Sequence, residues 1–338
     1  MKNPSEDPLV SVVVLNWNGR EDTLECLESV LNIDYSNLEV IVVDNGSTDG
    51  SVEAIRMRFP RIKLVETGQN LGYAEGNNVG MRTALTRCPR FLFLLNNDTI
   101  VDPQIIRNFV EAAAVSTDAG VFSPHIYYKS DPRRIQYAGA EWLESESNFK
   151  YVGRDEVEAN GKQVSIRETA YASGCAMFFR AEVIDKIGFL DARYFLTFEE
   201  TDWCYRARNA GYRSLVVSNA TVWHKGSASF GGEDSPLYLY FYTRNRLLWA
   251  ERHLGFVSWL RVCRRTLKEA FPVEVGFPAV RSQGIKRMYW GMLEWPVNIG
   301  RAWREPARKA IRWGLRDYVS RRFFDCHPLV RRLNHKPS

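Results

Sequence analysis

No run of about 18 apolar residues occurs in the 338-residue chain, so the sequence offers no membrane-spanning helix. Six cysteines, at 26, 88, 175, 204, 263 and 326, stand far apart with no C-x-x-C pair. That spacing argues against a zinc site or a disulfide framework and fits reduced, separately packed thiols. No G-x-G-x-x-G follows the first apolar segment, which weighs against a dehydrogenase. Internal repeats and low-complexity tracts are also missing. The first residues, MKNPSEDP, are polar and lack the apolar core of a secretory leader, so a cytoplasmic protein is expected.

What is present is ordinary in bulk and uneven in detail. Hydrophobic residues make up 45% and charged residues 25%, a composition suited to a globular protein of one large domain, or one with an appendage. Residues 1–234 carry 24 Lys and Arg against 33 Asp and Glu, whereas residues 235–338 carry 21 against 7. Such different balances imply different partners for the two parts.

Apolar runs of strand length alternate with helical patterns through the first third. LVSVVVLNW (9–17), LEVIVVD (38–44), RIKLVET and RFLFLL read as strands, with helices at REDTLECLESVL (20–31), up to about Arg58, and at YAEGNNVGMRTAL. Continuous apolar strands separated by helices predict a mostly parallel sheet covered on both faces. From about residue 120 the chain becomes mixed and loop-rich, with hairpins expected. Then come a strand at CAMFFR, helices at AEVIDKIG and EETDWCYRARNAG, and a strand through YRSLVVSNATVWHKGS. In such sheets ligands bind beyond the carboxyl ends of the strands. The polar clusters Asn16–Asn18, Asp44–Asp49 and Asn96–Asp98 all fall there.

Each cluster has a plain reading and a chemical one. FLFLLNNDTIVDP (91–103) ends in two amides and a carboxylate, either as a turn into a helix capped by Asp102-Pro103 or as a ligand site. Asp44 in D-N-G-S suits an Asx-turn or a helix cap, or a carboxylate accepting from a nucleobase or ribose. Asp49 is best taken as a cap. Asp98, with Asn96 two residues earlier, suits a divalent cation whose other ligands come from substrate phosphates. His224 is a packed or surface histidine unless it lies beside Asp98, where imidazole would complete a transition-metal site. Lys225 faces solvent or phosphate. Glu199, Glu200 and Asp202 stabilise a helix start, with Asp202–Arg206 an i,i+4 pair, or they raise one another's pKa as a general base requires.

Taken in order, VSVVVLNWNG, VIVVDNGSTDGS, NLGYAEGNNVG, LLNNDT, GCAMFFRAEVIDKIGFLD, FEETDWCYRARNAGY and VWHKGS resemble family 2 glycosyltransferases over roughly residues 9–250. The resemblance implies an inverting enzyme of the GT-A fold, Rossmann-like α/β, using a nucleotide-sugar donor, dTDP- or UDP-linked. LLNNDT is most similar to the branch holding bacterial rhamnosyltransferases of cell-surface polysaccharide assembly, which suggests rhamnose. By resemblance Asp44 contacts the nucleoside, aided by backbone around Leu15–Asn18, with Asn16, Asn18, Asn78, Asn96, Asn97 and Lys225 assigned to the donor site. Asp98 and His224 match the ligands for Mg2+ or Mn2+. Glu200 matches the catalytic base; the family's Glu-Asp pair reads Glu-Glu here, so Asp202 is the second candidate. The glycine-rich GSASFGG (226–232) suits a lid that orders over bound donor and excludes water.

The resemblance divides the chain into a catalytic domain, residues 1–235, with a nucleotide-binding half about 9–118 and an acceptor half about 119–235. A basic helical extension follows, residues 236–338. There Trp249, Trp259, Trp290, Trp295, Trp303 and Trp313 alternate with arginines. Solvated helix faces explain that pattern, and so does an anionic inner-leaflet surface presenting a glycan or lipid-linked acceptor. No nucleic-acid motif accompanies the charge. A sugar-phosphate nucleotidyltransferase and a non-catalytic sugar-binding module stand as the alternatives.

Overall fold

The computed structural model describes residues 7–158, 164–226, 232, 234–271 and 305–333. The chain divides into two compact units, Met1–Gly226 and Ser227–Ser338.

The first unit opens with the expected alternation: β1 (Val10–Asn16), α1 (Arg20–Leu31), β2 (Leu38–Asp44), α2 (Ser51–Arg58), β3 (Lys63–Glu66), α3 (Gly72–Leu85) and β4 (Phe91–Asn96). Val10, Val12, Val13 and Val14 are all fully buried, as a strand covered on both faces requires. β1 pairs in parallel with β2 and β4, and β2 with β3. α3 lies close on this sheet because Gly80 has no side chain. A Cβ there would sit 2.2 Å from Val13 Cγ1.

Next come β5 (Thr99–Val101), α4 (Ile105–Val115), β6 (Ala119–Tyr128), β7 (Asp131–Tyr137), β8 (Ala140–Leu143), β9 (Asn148–Tyr151) and β10 (Ile166–Glu168). The unit closes with β11 (Ala176–Arg180), α5 (Glu182–Ile187), α6 (Glu199–Asn209) and β12 (Arg213–His224). The sheet order is β10-β12-β6-β11-β4-β1-β2-β3. β11 runs antiparallel to both β4 and β6, and β6 is parallel to β12. β4, β6 and β12 therefore point the same way, and their carboxyl ends share one edge. The expected α/β class with a mostly parallel sheet is what the chain adopts. Phe178 on β11 anchors the centre, stacking on Phe109 at 4.8 Å and on Phe91 at 4.9 Å. Burying each ring contributes roughly 1.5–3 kcal/mol.

Two local readings change. Residues 99–101 form a strand rather than a turn, since they pair antiparallel with Val222–His224. α4 starts at Ile105, because the Asp102 carboxylate accepts from the Gln104 N–H (2.8 Å) and holds a turn ahead of it.

The second unit holds α7 (Pro236–His253), α8 (Phe256–Ala270), α9 (Pro306–Val319) and α10 (Pro328–Leu333). Ser235 caps α7 by accepting from Tyr238 N, with Pro236 in the first turn. Buried Arg246 on α7 donates to Glu269 (2.5 Å) and Thr266 (2.8 Å) on α8. Tyr240 on α7 donates to Asp317 on α9 at 2.8 Å. Among the described residues no helix is long and apolar enough to cross a membrane.

Candidate functional site

The strand-end amides and carboxylates meet at the shared edge. Asn16, fully buried, is the hub: its Nδ2 donates to Asp44 Oδ1 (2.8 Å) and Ser47 Oγ (3.1 Å). Its Oδ1 accepts from Gly19 N, Thr23 Oγ1 and Asn97 Nδ2. Asp44 also accepts from Ser47 N at 3.0 Å, closing the turn D-N-G-S. Asn18, at φ 52, crosses to the same turn: its N–H donates to Ser47 Oγ and its Oδ1 accepts from Thr48 N. Asp49 accepts from Ser51 N and Arg20 N, holding the starts of α2 and α1. Each buried polar group here has a partner, as burial demands.

The second cluster is built by β5. Because β5 turns back against β12 with Thr99 opposite His224, Asp98 lies beside the histidine. Asp98 Oδ1 and His224 Nε2 are 3.1 Å apart, and Lys225 N donates to Asp98 O at 3.1 Å. Burial opposes a charged Asp98, but the bond and charge of His224, with Lys225, outweigh it and hold the carboxyl below its usual range. Burial likewise opposes charge on His224, yet the Cys175 sulfur and Asp98 raise the imidazole well above its usual value. His224 Nδ1 lies 2.8 Å from Gln136 Oε1. A carbonyl oxygen can only accept, so this contact assigns a proton to Nδ1, and Nε2 is the ring nitrogen nearest Asp98. Lys225 Nζ pairs with Asp22.

The third piece reaches the edge through the start of β11. Asn96 N donates to Cys175 O at 2.9 Å, and Gly174 lies beside Glu200, with room for a Cβ only 3.4 Å from Glu200 Cδ. Tyr73 O–H donates to Gly174 O. The backbone leading into α6 has positive φ at Phe195, Thr197 and Phe198, a conformation costly for side-chain-bearing residues. It is seated on Gly72 (φ +79), where a Cβ would lie 2.5 Å from the Phe195 ring, and Tyr73 N donates to Phe195 O. Burial pushes the Glu200 carboxyl up to about 7. Burial and the neighbouring Glu200 raise Glu199 well above the carboxylate range. Oε2 of each is buried without a hydrogen-bond partner.

Two residues assigned to the site have other work. Asp202 is fully buried and accepts from Arg206 Nε (2.8 Å) and Tyr194 O–H (3.2 Å), the i,i+4 pair expected from the sequence. Asn78 joins α3 to Leu190, donating to its carbonyl and accepting from its N–H, both at 3.0 Å. Gln136, Cys175, Gly174 and Asp22 were not singled out by sequence. Gln136 sits in an irregular strand 88 residues from His224, and no local pattern announces that contact. The lid expected at 226–232 falls largely outside the described residues.

For a divalent cation the donor set fits. Asp98 and His224 supply one oxygen and one nitrogen, and the described residues hold no group of three or more His, Cys, Asp or Glu poised for a metal. Two protein ligands are enough where substrate phosphates and water complete the shell.

A family model for "Glycosyl transferase family 2" matches residues 11–188. An N-acetylglucosaminyl-diphospho-decaprenol L-rhamnosyltransferase of Mycobacterium tuberculosis is 27% identical over 254 residues, covering 68% of this chain and 80% of that protein. A dTDP-rhamnosyl transferase of Shigella flexneri is 21% identical over 268 residues, 75% and 83% of the two chains. Among solved structures, a mannosyltransferase from Pyrobaculum calidifontis in complex with GDP-Man and Mn2+ gives a TM-score of 0.56 at 16% identity, covering 94% of this chain and 88% of that one.

Proposed function

Since the chain belongs to glycosyl transferase family 2, we propose that it transfers a sugar with inversion from a nucleoside diphosphate donor to a hydroxyl group, with Glu200 as the base. The observation that carries this reading is the pairing of Asp98 with His224 at 3.1 Å on the strand-end edge that also receives Gly174 and, beside it, Glu200.

In this mechanism the acceptor hydroxyl donates to Glu200 Oε2, a buried oxygen that otherwise lacks a partner. Glu200 takes that proton as the acceptor oxygen attacks the anomeric carbon and the nucleoside diphosphate leaves from the opposite face. Its elevated pKa suits the task, because a base works best near the ambient pH. Asp202 is the weaker candidate, since Arg206 and Tyr194 already occupy its oxygens. Asp98 and His224 would hold Mg2+ or Mn2+, which supplies positive charge to the departing diphosphate. With Nδ1 held by Gln136, Nε2 is the nitrogen that would ligate the cation, giving up the proton that its pairing with Asp98 favours. Asp44, fixed by Asn16 and Ser47, presents the nucleoside-binding end of the edge, with Asn18, Asn96, Asn97 and Lys225 around the donor.

The names of the relatives favour a dTDP-linked rhamnose donor and a lipid-linked diphosphate acceptor. A lipid-linked acceptor places the work at an anionic inner-leaflet surface. The test is a thermal-shift panel of nucleoside diphosphates with and without Mn2+, followed by product analysis with the preferred donor. Nucleoside diphosphate release and an inverted anomeric centre are expected. Pyrophosphate release would instead identify a nucleotidyltransferase, and metal-independent binding without turnover a sugar-binding module.

A further inference from the structure

The outward face of α8 is unusual for a solvated helix. Phe256, Val257, Leu260 and Leu267 are 70%, 61%, 44% and 49% exposed. Residues 256, 260, 264 and 267 are spaced by four, four and three, so they share one side of the helix. The opposite side is buried at Val262, Thr266 and Ala270. Arg261, Arg264 and Lys268 are exposed among the apolar residues. The helix's one acid, Glu269, is turned away and bound to Arg246 (2.5 Å) and Arg265 (3.0 Å). The outward face therefore combines large apolar groups with cations and carries no carboxylate.

A helix exposed only to water gains nothing from four such side chains, and normally mixes charges of both signs there. Phosphate backbones of nucleic acid would engage the cations but leave the Phe and Leu side chains unused. A bilayer interface uses both: apolar groups enter the acyl boundary while Arg and Lys reach lipid phosphates with their stems laid along it. From Phe256 to Leu267 the stripe runs about 16 Å at helical rise, far short of a span, so the helix would lie in the interface plane.

We propose that α8 docks this protein on an anionic lipid surface through Phe256, Val257, Leu260 and Leu267, with Arg261, Arg264 and Lys268 pairing with headgroup phosphates. This deepens the membrane reading above and does not depend on the donor chemistry.

The test is co-sedimentation of the full chain with vesicles of phosphatidylcholine alone, or with about one-third phosphatidylglycerol, at near-physiological salt. The wild type is expected to bind the anionic vesicles and leave the neutral ones. Leu260→Glu with Leu267→Glu should reduce partitioning by at least about tenfold, given the loss of apolar groups from the interface. Arg264→Glu with Lys268→Glu should also weaken it and flatten its salt dependence. All four positions are exposed, so unchanged melting temperatures are expected; if one pair fails to fold, the other decides. Binding by the Leu variant equal to wild type would overturn the role of α8 and leave the membrane reading standing. A wild type that ignores anionic vesicles would overturn both. Equal binding to neutral and anionic vesicles would overturn the headgroup pairing.

Discussion

Asp98 and Glu200 carry opposite electrostatic signatures, and single substitutions separate them. His224 and Lys225 hold Asp98 charged despite its burial. Asp98→Ala should reduce transfer by about 10²–10³-fold or more while the protein still melts cooperatively, as a rate assay beside a thermal melt would show. Burial pushes the Glu200 carboxyl up to about 7. The base must be ionised, so transfer by the wild type should rise with pH through that value. Glu200→Gln should lose the rise and about 10²–10⁴-fold in rate. A folded-state pKa raised above the unfolded one contributes stability below the unfolded value and loses it as pH climbs to the folded value. Glu200→Gln should therefore raise the melting temperature at pH 8 more than at pH 5. Gln136→Ala, which frees the His224 Nδ1 proton, should weaken Mn2+ binding about 10- to 100-fold, measured by calorimetry with nucleoside diphosphate present. Asp98, His224 and Glu200 stood out in the sequence as polar groups at strand or helix ends, but each also had a plain structural reading there, and the resemblance to family 2 glycosyltransferases supplied their proposed roles. Gln136 did not, since an amide in an irregular strand carries no such contrast.

At the scale of elements, long buried strands were legible and short ones were not. β1, β2 and β4 are apolar runs, interrupted only by Ser11 and Glu39, that stop at Asn16, Asp44 and Asn96. β5 has three residues, and its existence depends on pairing with Val222–His224, more than a hundred positions later. β6 was hidden for a related reason: Ser123, Pro124 and His125 interrupt its apolar pattern, although Ser123 and His125 are buried. The approach to α6 was equally opaque, because positive φ at Phe195, Thr197 and Phe198 follows from packing against Gly72. Gly72→Ala should therefore act on Glu200 from a distance. The new Cβ collides with Phe195 and requires an unfavourable φ, a cost of about 1–3 kcal/mol, to be read by denaturant melts. A fall in kcat beyond the loss of folded protein would show that the approach positions the base.

For the whole molecule, the strand order that unites the site comes from β11, antiparallel between two strands that run alike. Its sequence, AMFFR, announces a strand but not its direction. The charge difference between the two parts was readable by counting, and the helices of the second unit give its cations places to stand. Ligand linkage supplies a test at this scale. Nucleoside diphosphate and Mn2+ together, at about a hundred times their dissociation constant, should stabilise the fold by about 2.7 kcal/mol. Either one alone should do much less, as differential scanning calorimetry would register. The antiparallel pairing of β5 with the last three residues of β12 has a consequence beyond bringing two side chains together. Folding itself brings Asp98 and His224 together, so that in the proposed mechanism little conformational freedom is left to surrender when a cation binds. Damage to that seam, at Ile100 or Val222 for instance, would then be mistaken in an assay for a missing ligand, though neither residue has an atom able to bind metal through its side chain.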